Sequence, residues 1–279
     1  MKHLKVIIVI IVVLILGFIV NPTEQFTETK QIIPDTVSNI NINVGVADVN
    51  ILRGDSSEIL IEYKYNSPSI KEGLIFSFVQ DGVLIFDSYN ANQKHFFREN
   101  NLITIYLPKD KNIDVIDSTI ENGILNIEGI DLNTLKTQGS ESDIKIIDNK
   151  VDQIITNIGY GNMTLNNVIG DSIKLNANNG TFTLENTSYK AVDLEFAKNA
   201  TVINNFSTID SFISKGSSTN YYFTLNKDTN YQVIANQFFR KPDGFEKQED
   251  DSFIYKSTEG QFISLINIGQ GNIKEFIFN

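Results

Sequence analysis

Apolar residues recur along this chain at two intervals. Over short stretches they alternate with polar residues, and over longer ones they return every 19 residues. Stepping by 19 from Ile116 gives Leu135, Ile154, Ile173 and Val192; after one extra residue the series continues at Phe212 and Tyr231. Two and four positions after an anchor stand Thr156 and Ile158, Leu175 and Ala177, Leu194 and Phe196. Nine and eleven positions after it stand Leu125 and Ile127, Ile144 and Ile146, Met163 and Leu165, Phe182 and Leu184, and Tyr221 and Phe223. Period-two alternation of this kind predicts strands. Gly123, Ser142, Gly161, Gly180 or Asn199 marks the turn between the two strands of each unit. So short a unit cannot bury its own apolar side, but stacked units can. The pattern therefore predicts an all-β, single-stranded parallel β-helix, right-handed as parallel crossovers usually are. Ile154, Ile173 and Val192 would form one inward column, and Met163 and Phe182 another.

The flanks read differently. Ile40, Ile42, Val44, Val49 and Ile51 fit the same template, so a first coil is expected from about residue 37. Residues 59–107 carry longer strands, with Asp81-Gly82 as a tight antiparallel hairpin turn. Past residue 231 the period is lost. Antiparallel hairpins with turns at Pro242-Asp243-Gly244, Glu259-Gly260 and Gly269-Gln270-Gly271 are expected to cover the open end. The expected organisation is an anchor at 1–22, a linker at 23–35, a first coil and β-section at 36–110, coils at 111–230 and a β cap at 231–279.

The anchor is read from an unbroken apolar run, Val6 to Val20, preceded by Lys2 and Lys5. As a helix this run rises roughly 22 Å, short of the ~30 Å hydrocarbon core, and a snorkelling Lys5 lengthens it. It ends in Gly17-Phe-Ile-Val-Asn-Pro22 without small residues at a processing site. An uncleaved transmembrane anchor through residues 4–20 fits better than a cleaved signal peptide. Lysines before the run place the N-terminus in the cytoplasm and the body outside, on the cell membrane. Secretion of a cleaved form is the alternative.

Charge removes some functions. Lys and Arg number 23 against 34 Asp and Glu, a net charge of -11, and such a surface repels nucleic acid. With no cysteine there are no disulfides, thiolate chemistry or cysteine-ligated metals. The histidines are His3 and His95, too few for a two-histidine metal site past the membrane run. No cofactor is expected. Asp148, Asn167, Asn186 and Asn205 stand thirteen residues after successive anchors and predict a structural turn ladder of stacked polar side chains. Asp131, Asp152, Asp171, Asp193, Asp210 and Asp228 form a looser series, read as turn-forming residues on a solvated edge rather than a cation-binding stripe. In the loop 90–100, Phe96, Phe97 and Arg98 are the candidate binding residues, although docking of the two rings onto the chain's own core is the stronger reading.

Three segments carry a resemblance: Val46-Ala-Asp-Val49-Asn-Ile51, Tyr106-Leu107-Pro108, and Gly123-Ile-Leu125-Asn-Ile127-Glu-Gly129. Over about residues 35–279 the chain resembles the bacterial β-strand-repeat family called "putative adhesin", whose function is unknown. The resemblance implies a β-helix outside the membrane, sometimes beside envelope-stress systems, and supplies no catalytic residues. The expected function is a non-enzymatic binding or scaffold module of the cell envelope, with envelope proteins or wall polymers as partners. The alternative is a polysaccharide hydrolase or lyase using a carboxylate pair, Glu185 with Glu195 or Asp171 with Asp193.

Overall fold

The structure, a computed structural model, describes residues 26–65, 76–87, 101–216, 218–235, 244–248, 252–256, 263–269 and 271–278. The expected membrane run and the loop bearing Phe96, Phe97 and Arg98 lie outside these residues. Among the described residues no helix is long and apolar enough to cross a membrane.

The N-terminal part contains β1 (Phe26–Ile32), β2 (Asn39–Val46), β3 (Asp48–Gly54), β4 (Ile59–Tyr65), β5 (Phe76–Gln80), β6 (Val83–Asp87) and β7 (Leu102–Pro108). Next come β8 (Ile113–Glu128) and β9 (Leu132–Glu185), whose 54 residues run on through several corners of the coil. The chain goes on through β10 (Ser188–Phe196), β11 (Ala200–Asn205), β12 (Thr208–Gly216) and β13 (Asn220–Leu225). It ends with β14 (Asn230–Ala235), β15 (Glu246–Lys247), β16 (Phe253–Tyr255), β17 (Ile263–Ile268) and β18 (Asn272–Phe278).

Each coil places one strand in each of two walls. In the first wall β2, β8, β9, β10 and β12 stack in parallel, which sets Ile40 over Ile116 over Leu135 and Ile173 over Val192 over Phe212. In the second wall the later half of β8 stacks on β3, β11 stacks on β9, and β13 on β11. Val49, Leu125 and Ile144 share one column there, and Phe182, Val202 and Tyr221 another. All these side chains are buried. Alternation puts every second residue between the walls, so the walls close on a continuous apolar core.

One inner column is partly polar. Two residues after the anchors stand Ser118, Thr137, Thr156, Leu175, Leu194 and Ser214, all buried. Ser214 and the Tyr221 hydroxyl hydrogen-bond at 2.8 Å, whereas the Thr156 hydroxyl has no partner. Tyr189 reaches back two coils and donates to the Val151 carbonyl at 3.0 Å. Burial, helped by the charge of Asp152, raises the pKa of that phenol well above its ordinary value, so it remains a donor. Gly170 makes room for it, because a Cβ there would lie 2.6 Å from the ring.

The ends depart from the expected layout. β6 stacks in parallel on β2, and β7 on β3, so β6 and β7 contribute another layer beneath the first coil. Antiparallel strands then close the edge: β4 on β7, β1 on β4, and β5 on β6. The turn between β5 and β6 is the expected one, with Asp81 and Gly82 both at positive φ. At the other end, among the described residues, the expected antiparallel cap is found where β16 pairs with β14 and β15, and the turn expected at Glu259-Gly260 lies outside the described residues. β17 and β18 instead make a parallel coil on β12 and β13. Here the step from Phe212 to Tyr231 is corrected. β17 lies between β12 and β14, so the column runs Phe212, Ile266, Val233, and Tyr231 aligns with Ser264. The last coil of the chain is thus not the last layer of the stack.

Candidate functional site

The bend between the two walls forms a concave surface. Gly123, Gly161 and Gly180 sit there with φ of 152°, 148° and 150°. A Cβ at any of them would fall within 2.0 Å of a carbonyl oxygen of the coil beneath: Ala47, Ser142 and Gly161 in turn. The chain bends where only hydrogen fits, and the bend carries bare backbone. The extra residue of the longer coil moves this column, because Ala200 rather than Asn199 aligns with Gly180.

Immediately after the bend, each coil hydrogen-bonds the next through a side chain. Ile124 N–H donates to Asp48 Oδ1 at 3.0 Å, Asn162 N–H to Asp143 Oδ1 at 2.7 Å, and Thr181 N–H to Asn162 Oδ1 at 3.1 Å. Just before the bend, Asn122 Nδ2 donates to Glu141 Oε2 at 3.2 Å. The side chains of Asp48, Asp143 and Asn162 thus satisfy outward backbone donors at the bend. The sequence marked this turn by its glycines but not the side-chain hydrogen bonds beside it. Their signal was present: Asp48, Asp143 and Asn162 follow the glycine column directly.

The bend encloses a groove of about 510 Å³ lined by residues of β2, β3, β8 and β9 together with Asn101. Asp48, Glu141 and Asp143 supply carboxylates, Asn101 and Asn122 supply amides, and Val46 and the half-exposed Tyr160 supply apolar flanks. Among the described residues no lysine or arginine lines it. Asn101 is tied in place, donating to the Val46 carbonyl at 3.1 Å. Such a surface offers hydrogen-bond acceptors beside an aromatic ring on a stiff backbone floor. Among the described residues no group of three or more His, Cys, Asp or Glu side chains could hold a metal ion.

The residues singled out from the sequence are scattered by comparison. At the opposite corner, Gly129, Asp148, Asn167, Asn186 and Phe206 take left-handed φ between 48° and 68°. Asn167 Nδ2 donates to Asp148 Oδ1 at 2.6 Å. Asn205 lies one position earlier, aligned with Glu185, and exposed Phe206 holds the left-handed position instead. The aspartate series splits among columns. Asp171 pairs with Lys190 at 2.6 Å, Asp193 aligns with Lys174, and Asp131 Oδ1 accepts from Lys150 N–H at 3.0 Å. Asp152 pairs with Lys150 at 3.5 Å, and Asp228 N–H donates to Asn226 Oδ1 at 2.9 Å. Asp171 raises the pKa of Lys190 above the ordinary lysine value, and Asp210 and Asp152 add to the effect.

The suggested carboxylate pairs also fall apart by register. Glu195 is in the first wall and lines a shallow depression of about 480 Å³ that Glu185 does not line. Glu185 is in the second wall, accepting from Asn166 Nδ2 at 3.2 Å.

A family model described as Toastrack DUF4097 matches residues 37–218, more than half of the chain. The chain belongs to this family. Its match spans the first coil, the bend with its groove and the coils up to β12. Two solved structures are similar to this Toastrack chain. One is titled a putative adhesin from Parabacteroides merdae, with 17% identity and a TM-score of 0.57, covering 91% of this chain and 96% of that one. The other is titled a putative adhesin from Parabacteroides distasonis, with 15% identity and a TM-score of 0.57, covering 91% and 97%. At these identities the likeness is one of fold. The comparison with curated proteins returns no match.

Proposed function

We propose that this Toastrack protein is a non-enzymatic binding module of the cell envelope, held at the membrane by residues 4–20 with its coils on the outer side. The groove at the glycine bend carries the proposal. Its Asp48 and Asp143 carboxylates are held by backbone N–H donors of the next coil, which is how a surface is preorganised for binding. The carboxylates suggested for hydrolysis belong to separate registers, which favours recognition over bond cleavage. The neighbours named as adhesins point the same way.

The test is capture of envelope components by the full-length chain in vesicles, with peptidoglycan, teichoic acid and solubilised envelope proteins offered separately. A specific partner is expected. Tyr160→Ala together with Asp143→Ala should remove its binding while the β-rich circular dichroism spectrum persists. Absence of binding to every component, or binding indifferent to the groove substitutions, would count against the proposal.

A further inference from the structure

The strand β1 raises a separate question. Among the described residues it pairs with β4 along one edge and with no strand along the other. Thr27 through Gln31 are all exposed. Open strand edges recruit further strands unless something blocks them.

Its sequence from residue 27 to 31, Thr-Glu-Thr-Lys-Gln, has a property that bears on the choice of partner. In an antiparallel pair of two such strands centred on Thr29, Glu28 of each copy stands opposite Lys30 of the other. Thr29 then meets Thr29, and Thr27 meets Gln31. Opposite charges and threonine pairs are favourable cross-strand neighbours, and like charges are unfavourable. Centring the pair on residue 28 sets Glu28 against Glu28, and centring it on residue 30 sets Lys30 against Lys30. A parallel in-register pair opposes like charges at both positions. One arrangement is thus selected and the neighbouring ones are penalised.

The positions of the two charges fit this role. Glu28 aligns with Tyr63 and Lys30 with Ile61 on β4, so both project on the inner side of the second wall. Lys30 Nζ donates to the Ser77 carbonyl of β5. An ammonium has three donors, so others remain for a carboxylate.

We propose that β1 is a self-association edge, on which a second copy of this chain adds its own β1 antiparallel about a two-fold axis at Thr29. Two solenoids would then join end to end through a continuous second wall. A single-strand contact falls below the ~1,200 Å² of standard interfaces, so the association is weak.

Because the chain has no cysteine, a single introduced thiol reports the register directly. Thr29→Cys and Thr27→Cys are compared in the full-length chain, in vesicles, under mild oxidation. Opposed Cβ atoms lie about 5 Å apart at position 29, whereas the two copies of position 27 are separated by about 13 Å along the strand. The expected result is a disulfide-linked dimer for Thr29→Cys and none for Thr27→Cys. In the Thr29→Cys background, Glu28→Lys or Lys30→Glu alone should abolish the link. An equimolar mixture of those two variants should restore it, which also shows that both are folded. Equal linking at 27 and 29, no linking at 29, linking to another protein, or indifference to the charge changes would each overturn the proposal. None of these outcomes touches the groove, so this inference and the proposed function stand or fall separately.

Discussion

The middle of the stack and its two ends solve one packing problem with different bookkeeping of chain order. Between β8 and β12, one layer along the stack is one 19-residue step along the chain, or one step of 20 where the extra residue enters. The hydrogen bonds record it: Asn162 to Asp143, Asn167 to Asp148 and Asn176 to Asn157 all span 19 residues. At the N-terminal end one layer spans far more, as Ile124 N–H donates to Asp48 across 76 residues. At the C-terminal end β17 is inserted between β12 and β14, so layers no longer follow the chain at all. The lesson is that a repeat in sequence locates neighbours only while winding is uninterrupted. Where the chain must close a stack it returns antiparallel or slips a late strand inside, which leaves fewer raw edges.

That contrast can be broken or sharpened by substitution. The largest effect is expected for Leu175→Asp in the middle. It buries an unpaired carboxylate between Thr156 and Leu194, a cost of several kcal/mol against a total stability of about 5–15. Urea titration should show an unfolded or barely folded chain. Ile266→Ala should follow, at about 2–5 kcal/mol, because Ile266 is a buried link between Phe212 and Val233. Were the column to run directly from Phe212 to residue 231, this substitution would be mild. Thr156→Val should raise stability by about 1 kcal/mol, since it removes a buried hydroxyl without a partner while keeping the shape. The smallest effect belongs to Asp171→Asn. Its pair with Lys190 is exposed and screened, so the thermal midpoint should not move measurably.

Much of the middle was legible because its information is local. Every wall residue from Ile116 to Phe196 alternates in and out, and the period follows from the circumference of the coil. The opposite corner shows where legibility stops. Asn205 has the right residue type for the turn column, but the added residue between β10 and β11 shifts the register by one. Phe206 accordingly takes a left-handed φ of 57° that a phenylalanine would not be assigned from its own preferences. The groove was also hidden. Its residues come from β2, β3, β8, β9 and Asn101, and only the fold gathers them.

By itself, then, the amino-acid order determined the strand content, the circumference of the coil, the inward columns and the places where glycine must bend the chain. These follow from side-chain alternation and steric exclusion within and between adjacent turns. Only the tertiary structure decided which segment lies next to which at the two ends, and therefore the groove at Asn101 and the exposed edge of β1. Strands from distant parts of the chain compete for the same open edge with similar apolar patterns. The choice among them rests on long-range closure and register, which no local pattern encodes.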